Sequence, residues 1–140
     1  MVNIKKILVP LDGSKNSLRG LDEAIFIARQ CNATITGLYV VPMTKPKVDS
    51  QISYVEKTLL NQAGKFMYKA KKRSAEHGIL FEDKVVYGDE GPKITKFAKS
   101  KKFDLIVIGS RGMNPIKEAF LGSTSNYVLH KSTIPVMIVK

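Results

Sequence analysis

Two rhythms of apolar residues alternate along the chain. Ile4–Asp12 reads as a strand, with β-branched residues and Leu running up to Pro and Asp-Gly. Leu18, Leu21, Ile25 and Ala28 then recur at helical spacing, and Ala33–Val41 returns to a strand. A polar, proline-bearing link over Pro42–Ser50 leads to a long helix, with Ile52, Val55, Leu59, Ala63, Phe66 and Ala70 on one predicted face. Gly78 is placed to end that helix in the left-handed conformation. Ile79–Gly88 alternates in part and predicts a third strand, more exposed than the others. Gly91-Pro92 can open a helix, with Ile94, Phe97 and Ala98 inward. Asp104–Gly109 is a continuous apolar run, the mark of a strand covered on both faces. A short helix over Ser123–Ser132 and a last strand over Ile134–Lys140 close the pattern.

Strands alternating with helices predict an α/β fold, a doubly wound parallel sheet with helices on both faces. Right-handed crossovers leave few strand orders to choose from. With no internal repeat or evident linker, residues 1–140 are expected to form a single domain.

Composition changes this picture little. The 140 residues are 44% hydrophobic, enough for a substantial core. No window approaches the roughly 18 apolar residues of a membrane span, and the N-terminus lacks the pattern of a secretory leader. The lone Cys31 excludes an internal disulfide and reads as a buried, inert thiol. A cytoplasmic protein is the expectation. Charge matters more: 23 Lys and Arg against 12 Asp and Glu give a formal net charge of +11. Such a field attracts anions without naming one.

In an open parallel sheet, ligands sit beyond the carboxyl ends of the strands. Asp12 follows the first strand, Val40 and Val41 end the second, and Gly109 follows the fourth, so all belong to that edge. Gly109, Gly112 and Gly122 leave backbone amides approachable. The helix starting at Gly122-Ser123 offers unpaired N–H groups and a positive dipole end. Ser123, Thr124 and Ser125 add hydroxyls, and Arg111 adds charge. The set suits a phosphate. Asp12 fits either the cap of the first helix or a contact to a ribose hydroxyl or metal.

The spacing Gly109-x2-Gly112-x9-Gly122-Ser123 resembles the nucleotide signature of the universal stress protein family. The opening "ILVPLDGSKNS" and closing "STIPVMIVK" are similar to that family's first and last strands. The resemblance covers essentially the whole chain. It implies a five-stranded sheet of order 3-2-1-4-5, the adenine nucleotide alpha hydrolase-like arrangement, and commonly a homodimer. From the ATP-binding branch it implies ATP, or AMP or ADP, as ligand. Pro10, Leu11 and Asp12 would meet the nucleotide, with Asp12 toward the ribose. Val40 would meet adenine, Ile108 and Gly109 would lie beside ribose and base, and Arg111, Gly112, Gly122, Ser123, Thr124 and Ser125 would line the phosphate path.

Catalysis is weakly encoded. The Gly-x4-Gly-Lys-(Ser/Thr) loop is missing, and with it the lysine that reaches the β- and γ-phosphates. No catalytic residue is assigned. Asp104 precedes its strand and belongs to the opposite edge, while Asp89 and Glu90 follow the peripheral third strand and would reach the site only by an unusual loop path. His77 suits a helix C-terminus and His130 a surface. No Cys/His cluster suggests zinc. A magnesium or manganese ion could still travel with the phosphates. A nucleotide-binding regulatory protein of the stress response is therefore expected, with slow ATP hydrolysis left open.

Two rivals remain at this stage. Lys65, Lys69, Lys72 and Arg73, with Lys96, Lys99, Lys101 and Lys102, could serve a basic nucleic-acid-binding module, although no aromatic platform interleaves them. A pure interaction protein could keep the nucleotide as a structural element. The phosphoreceiver fold lacks support, since its acidic pair and acceptor aspartate are missing. The apolar terminal strand, with Val136 and Ile138, predicts an edge at which a second copy pairs.

Overall fold

A computed structural model describes residues 3–45, 51–111 and 121–140. Part of the predicted link, residues 46–50, and Gly112 lie outside them. The strands are β1 (Lys6–Pro10), β2 (Thr34–Val41), β3 (Phe81–Tyr87), β4 (Leu105–Gly109) and β5 (Val136–Val139). They alternate with α1 (Lys15–Cys31), α2 (Tyr54–Glu76), α3 (Glu90–Ser100) and α4 (Ser123–Lys131). All strand pairs are parallel, in the order β3-β2-β1-β4-β5.

The two sheet faces bury separate cores. Ile7, Val9, Ile35, Tyr39, Val41 and Val107 pack under α1 and α2, against Leu21, Ile25, Ala63 and Met67. Leu8, Leu38, Val40, Ile106 and Ile108 pack under α3 and α4, against Ile94, Ala98 and Val128. β1, β2 and β4 feed both cores, which is why their sequences are apolar at nearly every position.

The edge strands differ. In β3, Glu82, Asp83 and Lys84 are exposed, and Lys84 pairs with Glu82 at 3.0 Å. Charge on an edge strand discourages further pairing. β5 presents Val136, Met137, Ile138 and Val139, with Val136 and Ile138 packed against the α3/α4 core.

Local signals set most boundaries. Ser14 caps α1 by accepting the Ser17 amide at 3.1 Å, and Asp12 instead accepts the Ser14 amide at 2.9 Å in an Asx turn. The helix cap is thus Ser14, and Asp12 stays with the loop. Gly78, at φ +73, follows the last turn of α2 as expected. Asp104 does lie at the opposite edge, accepting the Lys5 and Lys6 amides at 2.9 Å each. His77 caps the end of α2, with Nδ1 2.9 Å from the Arg73 carbonyl. Cys31, at the end of α1, is half-buried rather than fully buried.

One predicted face needs correction. Ser53 caps α2, so Ile52 precedes the helix, and Ile52 and Val55 are 59% and 61% exposed. The buried positions are Glu56, Ala63, Met67, Ala70 and Ser74. Glu56 is 3% exposed and accepts a 2.7 Å hydrogen bond from the Tyr87 hydroxyl at the end of β3. That bond stands in for water and pushes the Tyr87 phenol above its ordinary value. Removing it strands a carboxylate oxygen. Tyr87→Phe should therefore cost about 1.5–3 kcal/mol, the range for hydrogen bonds to charged groups, read as a lower urea midpoint at unchanged slope.

Candidate functional site

A cleft of about 1170 Å³ opens at the carboxyl end of the sheet. Its floor is the strand ends: Pro10, Leu11 and Asp12 after β1, Leu38 to Val40 in β2, and Ile108 and Gly109 in β4. The strand order reverses direction between β1 and β4, the switch point at which helices diverge to opposite faces. Of the residues singled out in the sequence, Pro10, Leu11, Asp12, Val40, Ile108, Gly109, Arg111, Gly122, Ser123, Thr124 and Ser125 all line this cleft.

The exit of β4 is fixed by α1. Asn16 Oδ1 accepts the Arg111 amide at 2.7 Å. A side chain at Gly109 would place its Cβ 2.5 Å from that oxygen and 2.8 Å from the Asn16 carbonyl. Gly109 is thus required first by the close approach of a helix. The Ser110 amide donates to the Val139 carbonyl at 2.8 Å, tying β4 to β5 at the same point.

At α4 the chain returns to the cleft. Gly122 is its N-cap, with φ −62 and ψ 159 and no side-chain capping bond. Its own amide donates to the Ser110 carbonyl at 2.8 Å. The first helical bond runs from the Asn126 amide to the Gly122 carbonyl, so the amides of Ser123, Thr124 and Ser125 precede the helical ladder. Three donors and a dipole end therefore face the cleft side of the helix. Ser125 is 3% exposed and spends its hydroxyl on the Gly109 carbonyl at 2.6 Å, which makes it an anchor for α4. Ser123 is exposed, and Thr124 is half-buried.

Asp89 and Glu90 overturn their predicted remoteness. Both line the cleft, and Thr124 Oγ1 donates to Glu90 Oε2 at 2.9 Å. The reason is topological. A crossover from the edge strand β3 to β4 must pass over β2 and β1, so α3 packs on β2 and against α4. Gly88, at φ +131, makes the turn inward, and its amide donates to the Val41 carbonyl at 3.0 Å.

The aromatic lining was missed: Tyr39, Phe66 and Tyr127 all border the cleft. Tyr39 and Phe66 meet edge to face, 5.4 Å between centroids and 83° between planes, and both line the cleft. Burial pushes the Tyr39 phenol above its ordinary value, and the carboxylates of Glu90 and Asp12 push it further. Among the described residues no group of three His, Cys, Asp or Glu is placed to hold a metal ion, and no helix is long and apolar enough to cross a membrane.

The model of the Universal stress protein family matches residues 3–140. The chain belongs to that family. It is 32% identical over 139 aligned residues to Universal stress protein MJ0531 of Methanocaldococcus jannaschii, covering 97% of this chain and 82% of that protein. The solved structure of protein MJ0577 superposes with a TM-score of 0.88 at 30% identity, over 99% of this chain and 97% of that one. A universal stress protein solved in complex with cAMP shares the fold, with a TM-score of 0.81 at 24% identity over 99% and 98% of the two chains. The strand order expected from the resemblance is the one observed.

The Asn16–Gly109 contact yields a direct test. Gly109→Ala forces overpacking of a kind that costs about 1–3 kcal/mol. Thermal unfolding should show a clear drop in midpoint even without any ligand.

Proposed function

We propose that this universal stress protein binds an adenine nucleotide, ATP foremost, in the cleft between the ends of β1 and β4. Through it the protein acts as a nucleotide-dependent switch or partner-binding module in a stress response. The observation that carries the reading is the meeting of three strand ends with the free first-turn amides of α4 in one cleft. The solved cAMP complex of the same fold is consistent with an adenine ligand there. Val40 and Ile108 offer an apolar wall for the base, Asp12 an acceptor for a ribose hydroxyl, and Ser123 and Thr124 with their amides a seat for phosphate. Arg111 and Gly112 would complete the phosphate path. A magnesium or manganese ion would enter on the phosphates, whose oxygens supply most of its ligands. Binding rather than turnover is the role this donor set serves.

A nucleic-acid role is less well supported. Lys65, Lys69 and Lys72 stand exposed on α2, and Arg73 is bonded to Asp22. Lys96 and Lys99 stand exposed on α3, with Lys101 and Lys102 just beyond it, on the opposite face of the sheet. The two clusters cannot form one continuous basic footprint.

Gly122→Val tests the nucleotide reading. The backbone angles at 122 suit valine, and its amide bond to Ser110 survives, so the fold should persist. Nucleotide released from purified protein, measured by mass spectrometry, should fall at least about tenfold, or ~1.4 kcal/mol. Equal occupancy in a folded variant would remove the phosphate seat from α4.

We also propose a homodimer in which β5 pairs with its copy along the open sheet edge. Val136 and Ile138 also pack on the α3/α4 core, so the exposed Met137 carries the cleaner test: Met137→Lys should shift sedimentation toward monomer while cooperative unfolding is retained. A dimer unchanged in Met137→Lys would take β5 out of the interface.

A further inference from the structure

Glu90 is an ionisable cleft residue that the nucleotide reading leaves without a role. Its carboxylate accepts the Thr124 hydroxyl at 2.9 Å, on the first turn of α4, where phosphate is proposed to sit. The placement is built rather than incidental. Gly91, next in sequence, is buried against Tyr127, and a Cβ there would lie 2.7 Å from the Tyr127 ring. Only that close approach brings the first turns of α3 and α4 side by side. An acid at the start of α3 also favours the dipole of its own helix. Asp89, exposed at the cap and without a side-chain capping bond, can supply that effect alone. The bond to Thr124 therefore calls for a different account. Glu90 lines the cleft together with Tyr39 on β2, whose phenol is raised first by burial and then by the Glu90 carboxylate.

We propose that Glu90 sets the charge specificity of the cleft: its carboxylate occupies the Thr124 hydroxyl that a phosphate would use and repels unshielded phosphate charge. The inference rests on the nucleotide reading above. An anion cradle that already holds an internal anion gives up part of its attraction to an incoming one. Adenosine, which needs only the base and ribose regions, meets little of this opposition. AMP meets some, and ATP without a counter-ion meets most. Nucleotide preference in this chain is then tuned by a residue of α3, outside the glycine signature.

The test is Glu90→Gln in the full-length protein, with Asp89→Asn as a control of equal charge change at the same helix end. Affinities for adenosine, AMP and ATP are measured by calorimetry in EDTA. For Glu90→Gln, ATP should bind about tenfold more tightly, the scale expected of unit charges a few Å apart in a solvent-exposed cleft. The gain should be smaller for AMP and under about twofold for adenosine, which carries no charge to repel. An equal gain for all three ligands, no gain for ATP, or the same graded gain in Asp89→Asn overturns the inference while leaving nucleotide binding intact. Failure of the wild-type protein to bind any of the three removes the nucleotide reading itself, and this inference with it.

Discussion

The close approach of α1 to the end of β4 is the contact on which the cleft depends. Asn16 stands where a side chain at position 109 would be, and Gly20, one turn on, lies against the Gly109 amide. With the helix this near, Asn16 can hold the Arg111 amide as the chain leaves the sheet. The crevice between β1 and β4 follows from topology alone, but its shape follows from this contact. Ser125 then brings α4 to the same point through the Gly109 carbonyl. Helices from both faces thus converge on one residue at the rim.

This convergence gives Gly109 two reasons to lack a side chain. Bare backbone beside the proposed nucleotide would be one, and the proximity of Asn16 is the other. The second operates whether or not a ligand is present. A glycine at this position therefore records a packing requirement whatever the proposed ligand adds, and substitution here would confound the two. At Gly122 the backbone angles suit any residue, so the chain's conformation makes no demand for glycine there.

Much of the architecture was legible because burial on both faces leaves a strong trace in the chain. β4 reads as a continuous apolar run and β3 as a charged one, and these mark a central and an edge strand. The start of α2 was harder to read. Ile52 and Val55 continue the helical rhythm of Leu59 and Ala63, yet Ser53 caps the helix and both stay exposed. The buried place goes to Glu56, and only the distant Tyr87 makes that tolerable. The cleft shows the same division. Residues following β1, β2 and β4 were placed correctly because every strand end of a parallel sheet points one way. Glu90 was misplaced because position along the sheet edge does not reveal where a crossover helix starts. Asn16 gave no local signal, since its partners lie more than ninety residues away.

The unequal edges of the sheet have a geometric outcome. β3 turns Glu82, Asp83 and Lys84 outward, while β5 carries only aliphatic and thioether side chains. A strand added at β3 would have to set its side chains among those charges; one added at β5 would not. Association through β5, as proposed, would consume the permissive rim of each molecule in a single event. In the proposed dimer, stoichiometry would then reach a ceiling at two, with no second permissive rim on which a filament could propagate.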